Sequence, residues 1–277
     1  MGTSSSYKGP GKRPNLIPPW ADDGALPSEE PQPQPDGRQP VPPPDTEPLP
    51  DQPSYWPSLK ALVGRAAAAG LGGSGASAGK IAAGYVRALG GSRNAARAAV
   101  TGIPSGAGLA SFLAQAGATG LETTLASLNL PSLAADGVES VMLALADLLA
   151  PPGAEREDAI TRDAVMETLR DWEETYADDP ELGLGSPDTA RELLTNYLTN
   201  YIIEKASQEL GDCLERRAGT AAEIHALYQE FKDNLRSFIA LDLSTLDFQT
   251  INWQQAQGAD FIRQQMVTAY RLMEDQE

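Results

Sequence analysis

One cysteine, Cys213, and one histidine, His225, stand in a chain of 277 residues. A lone cysteine excludes an intramolecular disulfide and fits a reducing compartment. A lone histidine leaves no zinc cluster, His-Cys pair or Ser-His-Asp triad to assemble. Cys213 continues an apolar stripe and is read as a small core residue, not a nucleophile. His225 lies beside Ile224 at the edge of another stripe and is read as a satisfied, partly buried side chain. Segments that alternate apolar and polar residues with period two are missing, which argues against a sheet. The N-terminus lacks an apolar core of signal-peptide length, because prolines and lysines interrupt it. These absences place the protein in the cytoplasm and predict no catalytic residue, no metal and no cofactor.

Proline is scarce over most of the chain, because 16 of the 22 fall in residues 1–57. A stretch such as PQPQPDGRQPVPPPDTEPLPDQP cannot bury enough apolar surface to offset its ordering entropy. Residues 21–57 are therefore expected to be a disordered linker with polyproline II character. Basic residues are unevenly spread. Residues 61–121 carry Arg65, Lys80, Arg87, Arg93 and Arg97 and no acid, whereas residues 122–277 carry 11 basic and 30 acidic groups, a net of −19. Such an acidic body repels a phosphate backbone, so direct nucleic-acid binding is not expected.

The rest reads as helix. Residues 58–130 form a Gly/Ala-rich basic segment holding most of the glycines, and GKIAAGYVRALGG places Ile81, Tyr85 and Leu89 on one helical face. In the acidic region 131–277, Val138, Val141, Met142, Leu145, Leu148 and Leu149 share a face, and Pro151-Pro152-Gly153 stops that helix. Ile160, Val165, Leu169, Trp172 and Tyr176 mark the next. Ser186-Pro187-Asp188 combines a capping hydroxyl, proline at the first position and an acid at the positive dipole end. The stripe behind it runs Leu194, Leu198, Ile202, Ala206, Leu210, Cys213. Ile224, Leu227, Phe231, Leu235 and Phe238 define another helix, and Ile262, Met266, Ala269, Tyr270 and Met273 the last. The expected fold is all-α, a helical bundle behind a long disordered Pro-rich tail.

Several chemical readings fail on spacing. SGASAGKI lacks the first glycine of a phosphate-binding loop, with Ser74 in its place, and carries Ile81 where Ser or Thr should follow Lys80. Acids spread along exposed helix faces are usually solvated surface, and no spacing singles out a carboxylate pair. Residues 98–121 run uncharged for 24 positions and contain GIPSG, a spacing that lets membrane helices meet. Only six strongly apolar residues occupy that window, diluted by Pro104 and five glycines. A buried, closely packed helix is the default there, and a membrane-acting effector is the alternative.

The first twenty residues are the candidate functional site. Gly2 followed by Ser6 satisfies a pattern for acylation of an N-terminal glycine, and small residues after Met1 favour Met removal. Thr3, Ser4, Ser5 and Ser6 are small and uncharged, suited to threading a narrow pocket. Leu16, Ile17, Pro18, Pro19 and Trp20 form an apolar knot, stiffened by proline and ended by a residue type enriched at binding hot spots. A terminal amine with a nearby anchor is how a substrate peptide is presented to an enzyme.

MGTSSS-x-x-GPG-x-x-x-x-x-x-PPW, the Pro-rich linker, YVRALGGSRNAARAA and the acidic helical half together resemble the QatB family, the B component of the Qat anti-phage defence system of bacteria. The resemblance covers the chain in order, but only the N-terminal signature and GGSRNAARAA are specific. It implies a defence component without a catalytic motif, working beside a P-loop ATPase, a QueC-like enzyme of 7-deazaguanine chemistry and a TatD-like nuclease. It further implies that the QueC-like enzyme conjugates a deazaguanine to an N-terminal glycine. Carried onto this chain, Gly2 is the acceptor and Thr3 to Ser6 are the residues read beside it. Gly9 or Gly11 takes that place if processing removes more than Met1. Two rival expectations stand beside this one: a membrane effector acting through residues 98–121, and a cryptic hydrolase in the acidic helices.

Overall fold

A computed structural model describes residues 55–69, 77–176, 186–217 and 221–276. Among these residues every regular element is helical, as the missing alternation predicts. In chain order they are α1 (Trp56–Ala69), α2 (Ala78–Ala88), α3 (Ser92–Arg97), α4 (Gly102–Thr119), α5 (Leu121–Ser127), α6 (Leu133–Leu149) and α7 (Arg156–Tyr176). Then come α8 (Pro187–Arg217), α9 (Ala221–Leu243), a single 3-10 turn at Phe248–Thr250 and α10 (Ala256–Glu274). The first twenty residues and residues 21–54 of the expected linker lie outside the described residues, whereas Trp56 and Pro57, expected at the end of the linker, instead begin α1, with proline in its first turn.

Local chemistry sets the breaks. Ser77 caps α2, its hydroxyl accepting from the Lys80 amide at 3.3 Å. Gly90 and Gly91 follow α2 at φ 85° and 91°, a backbone region that glycine enters without a Cβ clash. Ser186 accepts from the Asp188 amide at 3.2 Å and starts α8 at Pro187, the capping arrangement its sequence specifies. Pro104, inside GIPSG, disturbs nothing. It sits in the first turn of α4, where its missing N–H would have had no helical partner.

The 31-residue α8 is the axis of the body. At 1.5 Å per residue it is about 46 Å long, and α1, α4, α7 and α9 all pack against it. Pro50–Glu277 forms one compact unit, in which helices from either side of residue 130 share α8 as their common neighbour. The expected stripe of Leu194, Leu198, Ile202, Ala206 and Leu210 is buried, yet so are Asn196, Tyr197, Thr199, Asn200, Tyr201 and Lys205. A helix buried on nearly every side is a core helix, not an amphipathic surface one. α10 closes the other side against α2, α3 and α4, and its expected stripe is buried throughout.

Three sequence expectations need correction. Leu148 is exposed (49%), so the core face of α6 is Val141, Met142, Leu145 and Leu149. Ile239, not the half-buried Phe238, continues the α9 stripe after Leu235. His225 is exposed and not partly buried. The side chain of Cys213 lies outside the described residues.

The uncharged window 98–121 is core. Of its six strongly apolar residues, Ile103, Leu109, Phe112, Leu113 and Leu121 are buried and Val100 alone faces solvent (70%). The two glycines of GIPSG serve close packing inside this body. A Cβ on Gly102 would come within 3.0 Å of three carbons of the Tyr201 ring, and one on Gly106 would lie 2.8 Å from Cε1 of Tyr197. Glycines four apart on α4 thus receive tyrosines four apart on α8. Gly102→Ala should cost about 1–3 kcal/mol or more, because the buried ring has no room to yield. Gly211→Ala, in α8 with nothing within 4 Å of the new carbon, should instead gain about 0.5–1 kcal/mol from helix propensity. Opposite shifts of the urea midpoint for the two variants are the check.

Candidate functional site

Gly2, Thr3, Ser4, Ser5, Ser6, Leu16, Ile17, Pro18, Pro19 and Trp20 all lie outside the described residues. The structure therefore neither brings these residues together nor separates them. What it does describe is a polar node inside the body and a groove on its surface.

The node joins α4, α7 and α8. Lys205 Nζ meets Glu157 Oε2 at 2.6 Å, with the two side chains only 5% and 17% exposed. The hydroxyl of Tyr201 donates to the other oxygen of Glu157, and Lys205 Nζ sits 5.9 Å from the centre of the Tyr201 ring. Thr101 Oγ1 donates to the backbone carbonyl of Glu157 at 3.1 Å and shares a 2.7 Å hydrogen bond with Thr161. One turn earlier on α8, Tyr197 donates to the Gly102 carbonyl at 2.7 Å. Tyr85 of α2 donates to Glu209 Oε2 at 2.8 Å. Burial is the first cause that pushes the phenols of Tyr85, Tyr197, Tyr201 and Tyr270 above the ordinary tyrosine value, and nearby carboxylates add to it. These phenols are held protonated, and those of Tyr85, Tyr197 and Tyr201 serve as structural donors. A nucleophile or base would need the opposite shift.

Sequence reasoning missed the node, although a signal existed. Tyr197, Tyr201 and Lys205 recur every four residues on α8, a second stripe beside the leucine one.

The groove, about 550 Å³ in volume, runs between α1 and α2. Leu59, Leu62, Ala83 and Gly84 make its floor, and Arg65, Lys80 and Arg87 stand along it. Lys80, which fails as a phosphate-loop lysine, thus has a place on this surface. A second depression of about 420 Å³ lies among α7, α8 and α9, where Asp163, Glu167 and Glu204 are set against Arg170 and Lys232. Among the described residues no group of three or more His, Cys, Asp or Glu side chains is placed to hold a metal ion. No helix among them is long and apolar enough to cross a membrane.

These features define the class: an all-helical bundle with a buried tyrosine-lysine-glutamate node and a groove lined by basic side chains. Residues 90–273 match the model of a Qat anti-phage system associated protein, QatB, and the chain belongs to that family. No curated protein matches the chain, nor does any solved structure. The matched segment spans α3 to α10 and includes the node, while α1, α2 and their groove precede it.

Proposed function

We propose that this chain is a non-enzymatic, cytoplasmic component of the Qat defence system that binds its partner proteins and offers its N-terminal glycine to a QueC-like modifying enzyme. Family membership supports the defence role. The observation that carries the substrate role is the tail sequence: Gly2, a run of small uncharged residues, and Leu16 to Trp20 as an anchor. The P-loop ATPase and the TatD-like nuclease are the further partners this reading implies. The burial of Ile103, Leu109, Phe112, Leu113 and Leu121 in the helical core supports it over a membrane effector, since exposing that window would strip the core of these side chains.

Intact-mass measurement of the chain co-expressed with the QueC-like enzyme tests the substrate role. The unaltered chain should gain the mass of one deazaguanine group. Replacing Gly2 by a bulky residue should abolish the gain at any enzyme level, because the amine is then blocked or does not fit. Trp20→Ala should behave differently: loss of a hot-spot aromatic costs on the order of 2 kcal/mol, about thirtyfold in capture, and excess enzyme should restore the shift. A normal shift on the Gly2 variant, or none on the unaltered chain, overturns the assignment.

A further inference from the structure

The α1–α2 groove has the chemistry of a protein-docking surface. Its floor is apolar, with Leu59 and Ala83 buried and Leu62 half-buried. Gly84 keeps the channel open, since a Cβ there would lie 3.2 Å from Cδ1 of Leu59. Among the described residues the charged side chains of its lining are all basic: Arg65 and Lys80 are exposed, and Arg87 is half-buried. This is the one part of the sequence, residues 61–121, that carries five basic residues and no acid, in a chain of net charge −17. Basic side chains gathered on one groove of so acidic a protein are a local, oriented attraction for anionic groups.

The apolar floor and the surrounding charge decide which anion. A nucleic-acid strand long enough to bind by its backbone would extend over a body whose residues 122–277 carry a net of −19, and repulsion there offsets the gain at Arg65 and Lys80. A short amphipathic protein segment places apolar side chains on Leu59 and Leu62 and its carboxylates against Arg65 and Lys80, using both halves of the groove. We propose that the α1–α2 groove binds an acidic, leucine-bearing segment of a partner protein. The proposal rests on the partner-binding part of the reading above and not on the Gly2 step. The groove precedes the family-matched segment, so it adds a contact beyond the matched region.

The test uses the full chain alone and, as probe, a labelled synthetic peptide in which leucine pairs alternate with glutamate pairs, followed by fluorescence anisotropy. Controls are the same peptide with serine for leucine, single-stranded DNA of equal charge, and phosphatidylglycerol vesicles. The leucine peptide should bind saturably, and Arg65→Glu/Lys80→Glu should weaken it about tenfold or more. Ser58→Trp, at an exposed α1 position lining the groove, should block binding without changing any charge, and circular dichroism confirms that each variant stays helical. Binding that survives Ser58→Trp, equal binding of the serine peptide, preferential binding of DNA or vesicles, or no binding of the leucine peptide each overturns the proposal. No modifying enzyme is present, so failure here leaves the Gly2 assignment standing, and a missing mass shift on Gly2 leaves the groove standing.

Discussion

Raising the pH above about 10, the ordinary tyrosine pKa, should unfold the helical body steeply. Five phenols, those of Tyr85, Tyr197, Tyr201, Tyr228 and Tyr270, are pushed above the ordinary value, in each case first by burial. A group whose pKa is raised in the folded state keeps its full contribution below the unfolded pKa and loses it as the pH climbs towards the folded one. Between those limits the unfolded chain releases protons that the folded chain retains. Each phenol then removes up to about 1.4 kcal/mol of stability per pH unit, and the four most strongly shifted, Tyr85, Tyr197, Tyr201 and Tyr270, together remove up to about 5–6 kcal/mol per unit. Against a total of about 5–15 kcal/mol for a typical domain, the transition should be complete within about two units above pH 10. Tyrosinate absorbance from these residues should appear together with the loss of helical circular dichroism, not before it. Tyr270 allows the assignment to be checked, because its hydroxyl is buried with no hydrogen-bond partner among the described residues. Tyr270→Phe removes one titrating group and no bond, so it should leave neutral-pH stability nearly unchanged and make the alkaline transition shallower by about one proton. Phenols that titrate while the helix signal is intact would refute this account.

The helices were readable because each has one apolar face repeating at the helical period. Ile262, Met266, Ala269, Tyr270 and Met273 are buried as that period requires, and Ser186-Pro187-Asp188 starts α8 where capping chemistry puts it. The organisation around α8 was not readable, because its second stripe consists of residue types that normally sit at the surface. Nothing local marks Lys205 as buried. Its partner Glu157 is 48 residues away, and the Gly102 carbonyl that accepts from the Tyr197 hydroxyl is 95 residues away. The exposed Leu148 shows the converse. A helix packed mainly on one neighbour, as α6 is on α7, buries a narrower face than its apolar residues describe. The α1–α2 groove is not legible for a related reason: Arg65 and Lys80 stand on different helices, and no local pattern pairs them. The N-terminal candidate site was read from motif and composition alone, and lies outside the described residues.

Lys205→Met should be among the most damaging single substitutions in the body. Methionine fits the space of the lysine stem but leaves the Glu157 carboxylate, 17% exposed, without its counter-charge. Removing one partner of a buried pair costs about 3–5 kcal/mol, because the remaining charge stays desolvated and uncompensated. The Tyr201 hydroxyl still donates to Glu157, so the loss should fall towards the lower end, about 3 kcal/mol, or about 6–12 °C in Tm for a body of this size. The pair itself is not the source of the stability. Its Coulomb attraction is largely offset by the cost of bringing both charges out of water. Adding Glu157→Gln to Lys205→Met removes the orphaned charge and keeps an oxygen to accept from Tyr201, so the double variant should recover most of the loss. Glu157→Gln alone should be destabilising, since Lys205, only 5% exposed, is then the unpaired charge. A double variant as unstable as the sum of the two singles would mean that the residues act independently and that the node is not a coupled unit. Recovery, measured by urea denaturation, identifies the node as a device that locks α7 against α8 in one register, at little net gain in free energy.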